Sequence, residues 1–124
     1  MSLPSDLSYT SDHEWIAADG DVSTVGITAH AAEALGDVVF LSLPAVGSTI
    51  AAGEPCGEIE STKSVSDLFA PADGEVLEVN EAAIADPAAV NRDPFGEGWL
   101  YRMRITKDVD LLDATAYAAL IEGV

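Results

Sequence analysis

Cysteine is all but absent from this chain: Cys56 is the only one in 124 residues, so no internal disulfide can form and nothing points to an oxidising compartment. No histidine or second cysteine stands at metal-ligand spacing from it, so no metal site is expected, and the ordinary role of a lone cysteine in a strand is that of a small buried apolar residue. Positive charge is almost as scarce. Against 22 Asp and Glu stand 5 Lys and Arg, a formal net charge of −17. Such a chain repels nucleic acid and anionic membrane surfaces, which excludes both as expected partners, and it suits docking onto basic surfaces. No stretch approaches the roughly 20 apolar residues of a membrane span. The N-terminal residues Met1–Asp6 lack the basic segment and apolar run of a secretory signal, and the arginine-rich composition of a transit peptide. The expectation is a cytoplasmic protein, or one of the mitochondrial matrix if the chain is a processed organelle protein. The glycine-containing turns match neither GxGxxG nor a Walker pattern, so no nucleotide site is indicated.

What is present is a chain of short extended segments. Turn residues recur at Asp19–Asp21, Pro44–Gly47, Ala52–Pro55, Pro71–Gly74 and Asp93–Gly96, and the intervals Val22–Ile27, Val38–Leu43, Gly74–Val79 and Leu100–Ile105 are rich in β-branched and aromatic residues. The fold class is mainly β, most economically one domain over residues 1–124. At Trp99–Ile105 the alternation predicts Trp99, Tyr101, Met103 and Ile105 inward and Leu100, Arg102 and Arg104 outward. Trp15 and Trp99 are expected in the core, and His13 and His30 in structural roles, since no Ser, Cys or second His stands at catalytic spacing. Helical signals are few. Thr28 can cap a short helix that Gly36 stops. A C-terminal helix is predicted over about 113–122, with Leu112, Ala116 and Leu120 as its apolar stripe and Tyr117 and Ile121 beside them. The alanine-rich stretch Glu81–Val90, broken by Pro87, is expected to form at most short turns.

Lys63 is the first Lys or Arg in the chain; the next is Arg92. It stands in Glu60-Ser61-Thr62-Lys63-Ser64, between strand-like arms at Cys56–Ile59 and Val65–Phe69 that Pro55 and Pro71 bound outside. That pattern predicts a β-hairpin with Lys63 at or next to its tip. No Asn-Gly or Asp-Gly pair is present to set the register. A flexible stem ending in one primary amine, exposed at a tip, suits acylation, which an arginine could not replace.

The segment Glu60–Leu68, followed by Ala70-Pro71 and Gly74–Glu81, resembles the lipoylation region of the glycine cleavage H proteins. Asp12-His13-Glu14-Trp15, Val25–Thr28, Leu35–Leu41, Leu43-Pro44 and Asp93–Leu100 resemble further signatures of that family in the same order, over roughly residues 8–122. The resemblance implies a barrel-sandwich hybrid of the lipoyl and biotinyl carriers, with short added helices including a C-terminal one. It implies a monomeric, non-catalytic carrier with lipoate in amide linkage on Lys63. Its partners would be the glycine decarboxylase (P protein), the aminomethyltransferase (T protein), the dihydrolipoamide dehydrogenase (L protein) and a lipoate-attaching enzyme. The aminomethyl-loaded arm would be held by Glu14 and Asp67, with Asp12 a further contact where relatives often have serine; carboxylates suit a cationic group. The chain departs from the family at Ala34, where relatives commonly carry a histidine.

Three other readings compete. Biotinyl domains flank their lysine with methionines, and 2-oxoacid dehydrogenase lipoyl domains place Asp before it, whereas Thr62 and Ser64 flank Lys63 here. An acid hydrolase built on Glu58 and Glu60 lacks any accompanying pocket motif. A relative that keeps the fold but relays lipoate to other enzymes remains compatible with the sequence.

Overall fold

Short extended segments bury an apolar face only by pairing and stacking. In the computed structural model, which describes residues 4–107 and 111–121, they form two antiparallel sheets. The larger runs in the order β1 (Ser8–Tyr9), β2 (Glu14–Asp19), β3 (Val22–Ile27), β9 (Tyr101–Lys107), β8 (Asp73–Val79) and β5 (Thr49–Ile50). The smaller joins β4 (Val38–Ser42), β6 (Pro55–Ser61) and β7 (Val65–Phe69). Val25, Ile27, Leu41, Ile59, Leu68 and Met103 belong to the main core, and Tyr9, Trp15 and Tyr117 to a smaller cluster beside it. This is the two-sheet architecture that the barrel-sandwich reading requires.

Helix α1 (Ala29–Leu35) starts where predicted. The Thr28 hydroxyl accepts from the Ala31 amide at 3.2 Å, and Gly36 closes the helix at φ 80°, a conformation that glycine adopts without a Cβ penalty. The stretch expected to hold only turns contains two short helices, α2 (Glu81–Ala85) and α3 (Ala89–Arg92). The signal was Asn80. Buried, it caps Ala83 through Oδ1 and donates through Nδ2 to the carbonyls of Glu97 and Trp99, so one side chain starts α2 and ties it to the approach to β9.

Helix α4 (Ala114–Ile121) begins after Asp113, whose carboxylate accepts from the Ala116 amide at 2.8 Å; Glu122 and Gly123 of the expected end lie outside the described residues. Its inward stripe is not the expected one. Tyr117 is fully buried, with Ala114 and Ile121 packed in the same cluster, while Ala116 and Leu120 face outward. The β1–Leu112 bridge fixes the rotation of the helix, and spacing alone could not choose between adjacent stripes. The alternation near β9 also fails at one end: Tyr101 and Met103 are buried as expected, but so is Leu100, and Trp99 is only half-buried beneath the Arg102 guanidinium, 4.0 Å from its ring centroid. Residues 99 and 100 precede the strand, so the period of two does not govern them. Arg102 and Arg104 do face outward, paired with Glu78 and Glu75 of β8.

Trp15 lies opposite Gly26 across β2 and β3, and its indole covers the glycine; a Cβ there would fall 2.6 Å from three ring atoms. The indole N–H donates to the Pro94 carbonyl at 2.9 Å, so the ring cannot shift freely. Gly26→Ala is therefore expected to lower stability by about 2–3 kcal/mol through overpacking, read as a lower urea midpoint with an altered Trp15 fluorescence spectrum.

Candidate functional site

The hairpin forms as predicted, with Thr62, Lys63 and Ser64 as its tip. Its register, Glu60 opposite Val65 and Ile59 opposite Ser66, is held by a residue whose role the sequence reading missed. The Ser61 hydroxyl accepts from the amides of Lys63 and Ser64, each at 3.2 Å, and donates to the Ser64 carbonyl, while the Ser61 amide donates to that same carbonyl at 2.8 Å. A serine turn thus replaces the missing Asn-Gly signal. The Thr62 amide donates to the Asp37 carbonyl at 3.0 Å and anchors the tip to the segment after α1. Lys63 is exposed and, among the described residues, enters no ion pair. Its stem lies over Gly36, where a Cβ would come within 3.0 Å of Cε, so the glycine that ends α1 also makes room for the lysine.

The three acids expected to contact a loaded arm come together. Asp12, Glu14 and Asp67 line one cleft of about 200 Å³, Asp12 from the turn before β2, Glu14 from its first residue and Asp67 from β7. Ile27, Ala31, Ala34, Leu35, Ile59 and Leu68 give the cleft an apolar wall, with Ser66 beside them on β7. One flank of the lysine hairpin is thereby one wall of the cleft.

The acids differ sharply in surroundings. Asp12 and Asp67 are exposed, but Glu14 is buried, with 3% of its surface accessible. Burial pushes its carboxyl up to about 8, against the opposing effect of the Thr10 hydroxyl, which donates to Oε1 at 3.2 Å, and of the Phe69 amide. With no cation beside it, Glu14 is therefore mainly a neutral acid at neutral pH, not the carboxylate that sequence reasoning assumed. Behind it the Cys56 thiol meets the Tyr101 hydroxyl at 3.6 Å, and burial raises both above their ordinary values. Cys56 is half-buried in β6, close to its expected role.

His13 also lines the cleft, held at a positive φ of 67°. Its Nδ1 meets the Tyr117 hydroxyl at 2.7 Å, and that hydroxyl meets Thr28 Oγ1 at 2.8 Å. One tyrosine of α4 therefore joins the two cleft walls that start at β2 and α1. Burial and the nearby His30 ring hold His13 below the usual histidine range, against the pull of Asp12. Tyr117 was legible only as an apolar position, because a hydroxyl's partners across 104 residues leave no local pattern.

A solitary amine raised on a short, serine-locked hairpin, on a two-sheet scaffold whose hairpin flank doubles as a cleft wall, defines a carrier domain of the lipoyl and biotinyl type. Residues 7–123 match the glycine cleavage H-protein family. The glycine cleavage system H protein of Beutenbergia cavernae is 64% identical over 123 residues, covering 99% of each chain, and that of Thermobifida fusca is 54% identical over 124 residues, covering 99% of this chain and 98% of the other. The crystal structure of a glycine cleavage system H protein from Mycobacterium marinum superposes with a TM-score of 0.91 at 55% identity, covering 98% of this chain and 100% of that one. The chain belongs to the glycine cleavage H-protein family, the lipoyl carriers of the glycine cleavage system.

Proposed function

We propose that Lys63 is the residue that carries lipoate, in amide linkage, and that the protein itself catalyses nothing. The observation that carries this reading is the exposed primary amine of Lys63 at the tip of a hairpin whose flank lines a cleft of apolar side chains and carboxylates. The residues present suit the group: the apolar wall of Ile27, Leu35, Ile59 and Leu68 matches a hydrocarbon arm, and the acids Asp12, Glu14 and Asp67 match a positively charged end. When bound, lipoate supplies the dithiolane that accepts an aminomethyl group at the glycine decarboxylase, yields it at the aminomethyltransferase and is reoxidised by the dihydrolipoamide dehydrogenase. The chain's own residues do the rest. The hairpin holds the attachment point clear of the body, Asp67 and Asp12 attract a cation to the cleft mouth, and Glu14 pairs with it inside by giving up its proton. The apolar wall keeps water from what is held there. The protein works as a monomeric single domain in the cytoplasm, and the bacterial source of its relatives supports that compartment; among the described residues no helix is long and apolar enough to cross a membrane.

Protein purified from cells supplied with lipoate is expected to be heavier by one lipoyl group, and peptide mass spectrometry to place that group on Lys63. A bare Lys63, or the group on Lys107, would overturn the assignment.

A further inference from the structure

The outer face of the three-stranded sheet carries apolar groups where a solvated strand face would carry polar ones. Strand β4 holds a bulge: Val38 pairs with Ser61 and Phe40 with Glu60, which leaves Val39 as an extra residue. Val38 and Leu41 remain buried, and both Val39 and Phe40 turn outward, 48% and 55% exposed. Regular alternation would have exposed only one of that pair. Phe40, Glu60 and Val65 then form a single cross-strand row, with Val65 58% exposed, and Ser42, Glu58 and Asp67 form the next. Val39, Phe40 and Val65 are three of the six large apolar side chains exposed among the described residues, and Val65 is two positions from Lys63.

The charge around this patch is uncompensated. Among the described residues, Glu58, Glu60 and Asp67 enter no ion pair, whereas Arg92, Arg102 and Arg104 are tied to Asp86, Glu97, Glu78 and Glu75 away from this sheet. The face is an apolar strip framed by carboxylates, which is complementary to an apolar hollow rimmed by Lys and Arg.

We propose that this face, centred on Phe40 and Val65, is the docking surface for the enzyme that acylates Lys63. Reach decides between that enzyme and those visited later. In acylation, the uncharged Nζ attacks the acyl carbon of lipoyl-adenylate, a mixed anhydride; the amide C–N bond forms, the C–O bond to the phosphate breaks, the nucleotide phosphate leaves with the electron pair, and the proton shed by Nζ passes to water. That step requires the enzyme to bring the acyl carbon to bonding distance of Nζ, so it must cover the hairpin tip and the row of side chains next to it. Enzymes reached by the finished arm act at its far end and need not touch this row. Val39 and Phe40 lie outside the buried core, and about half of each is left to water on a bulged strand, a cost to solubility that a covering partner removes. The inference rests on Lys63 being the acylated residue.

The test uses the full chain, the host's lipoate-attaching enzyme and lipoyl-adenylate as donor, with the initial rate followed against carrier concentration. Phe40→Ser/Val65→Thr is expected to raise KM about tenfold with kcat within about twofold. Glu58→Gln/Glu60→Gln is expected to raise KM several-fold at low salt and to flatten its salt dependence. Once lipoylated to completion, both variants should turn over with the dihydrolipoamide dehydrogenase at the wild-type rate. An unchanged KM in both variants would overturn the proposal, as would a dehydrogenase step slowed as much as acylation. A wild-type chain that takes up no lipoyl group would instead sink the assignment of Lys63 itself.

Discussion

Lys63→Arg is expected to leave a folded protein that no longer supports glycine decarboxylase exchange, with activity falling to that of a reconstituted system lacking the carrier. The fold should survive because the contacts that shape the tip are made by the backbone amide of residue 63 and by Ser61, not by the lysine side chain. The contact of its stem with Gly36 is available to arginine, whose aliphatic portion is nearly as long. A surface exchange of this kind changes stability by about 0.5 kcal/mol or less. The chemistry, however, is lost outright. Arginine stays protonated at any ordinary pH and offers no free amine to an acyl donor, so its retained charge cannot substitute. An unchanged urea midpoint together with abolished exchange is the expected pair of results. Measurable exchange from the arginine variant would mean that the amine at position 63 is not the attachment point.

The second large effect is at Glu14, and it has two parts of opposite pH dependence. Its carboxyl is raised from an ordinary value of 4.5 to about 8 by burial, so the folded protein holds a proton that the unfolded chain releases between those values. Where the native state binds more protons than the unfolded state, stability falls as pH rises. Glu14 should therefore weaken the fold progressively from about pH 4.5 to about pH 8, with the full cost present above about pH 8 and none below about pH 4.5. Moving a pKa by one pH unit is equivalent to about 1.4 kcal/mol, and relaxation around a buried charge recovers part of the total, so the cost above pH 8 is about 3 kcal/mol. Glu14→Gln keeps the shape and removes the titration. It should match the wild type in urea unfolding near pH 4.5 and exceed it by about 3 kcal/mol near pH 9. Parallel stability curves for the two proteins across that range would show that Glu14 is not held as a neutral acid.

A cation in the cleft reverses this balance. It favours the carboxylate and draws the proton off Glu14, so retention of the aminomethyl group should strengthen as pH rises toward 8 and weaken as it falls. The loaded Glu14→Gln variant should release formaldehyde and ammonia to water about tenfold faster than the wild type at pH 8. The gap should narrow as pH falls and the wild-type residue regains its proton beside the cation. A loaded variant as long-lived as the wild type at pH 8 would remove Glu14 from the holding site. The same substitution is thus expected to stabilise the empty protein and to destabilise the loaded one, a separation that a merely structural glutamate would not produce.

Much of the hairpin and its surroundings was legible because the signals were local. The capped helix Ala29–Leu35, the strand Val22–Ile27 and the arms of the Lys63 hairpin all follow from turn residues, capping residues and β-branched runs within a few positions of one another. Apart from the local caps at Asn80 and Ser61, the failures fall where no local signal exists. Spacing allowed either of two stripes on α4, and the choice of Tyr117 over Ala116 and Leu120 was made by packing against Tyr9 and Trp15. Leu100 and Trp99 departed from alternation because they lie before β9; the stretch after Asn80 is helical because that residue caps Ala83, and only its amide's partners 17 and 19 residues away left no local trace. Ser61 could have been recognised from the Ser-x-x-Ser spacing of a serine turn, whereas Tyr117 could not.

By itself the sequence determined that a lone amine stands at the tip of a β-hairpin in a strongly acidic chain, and the ordered motifs around it determined the family. Both are properties of residues near one another along the chain. Only the tertiary structure decided that Asp12, Glu14 and Asp67 share one cleft with the hairpin flank, that Tyr117 ties its walls together, and that Glu14 holds a proton there while its neighbours stand in solvent. The physical reason is that ionisation depends on desolvation, and desolvation depends on which distant surfaces close over a side chain.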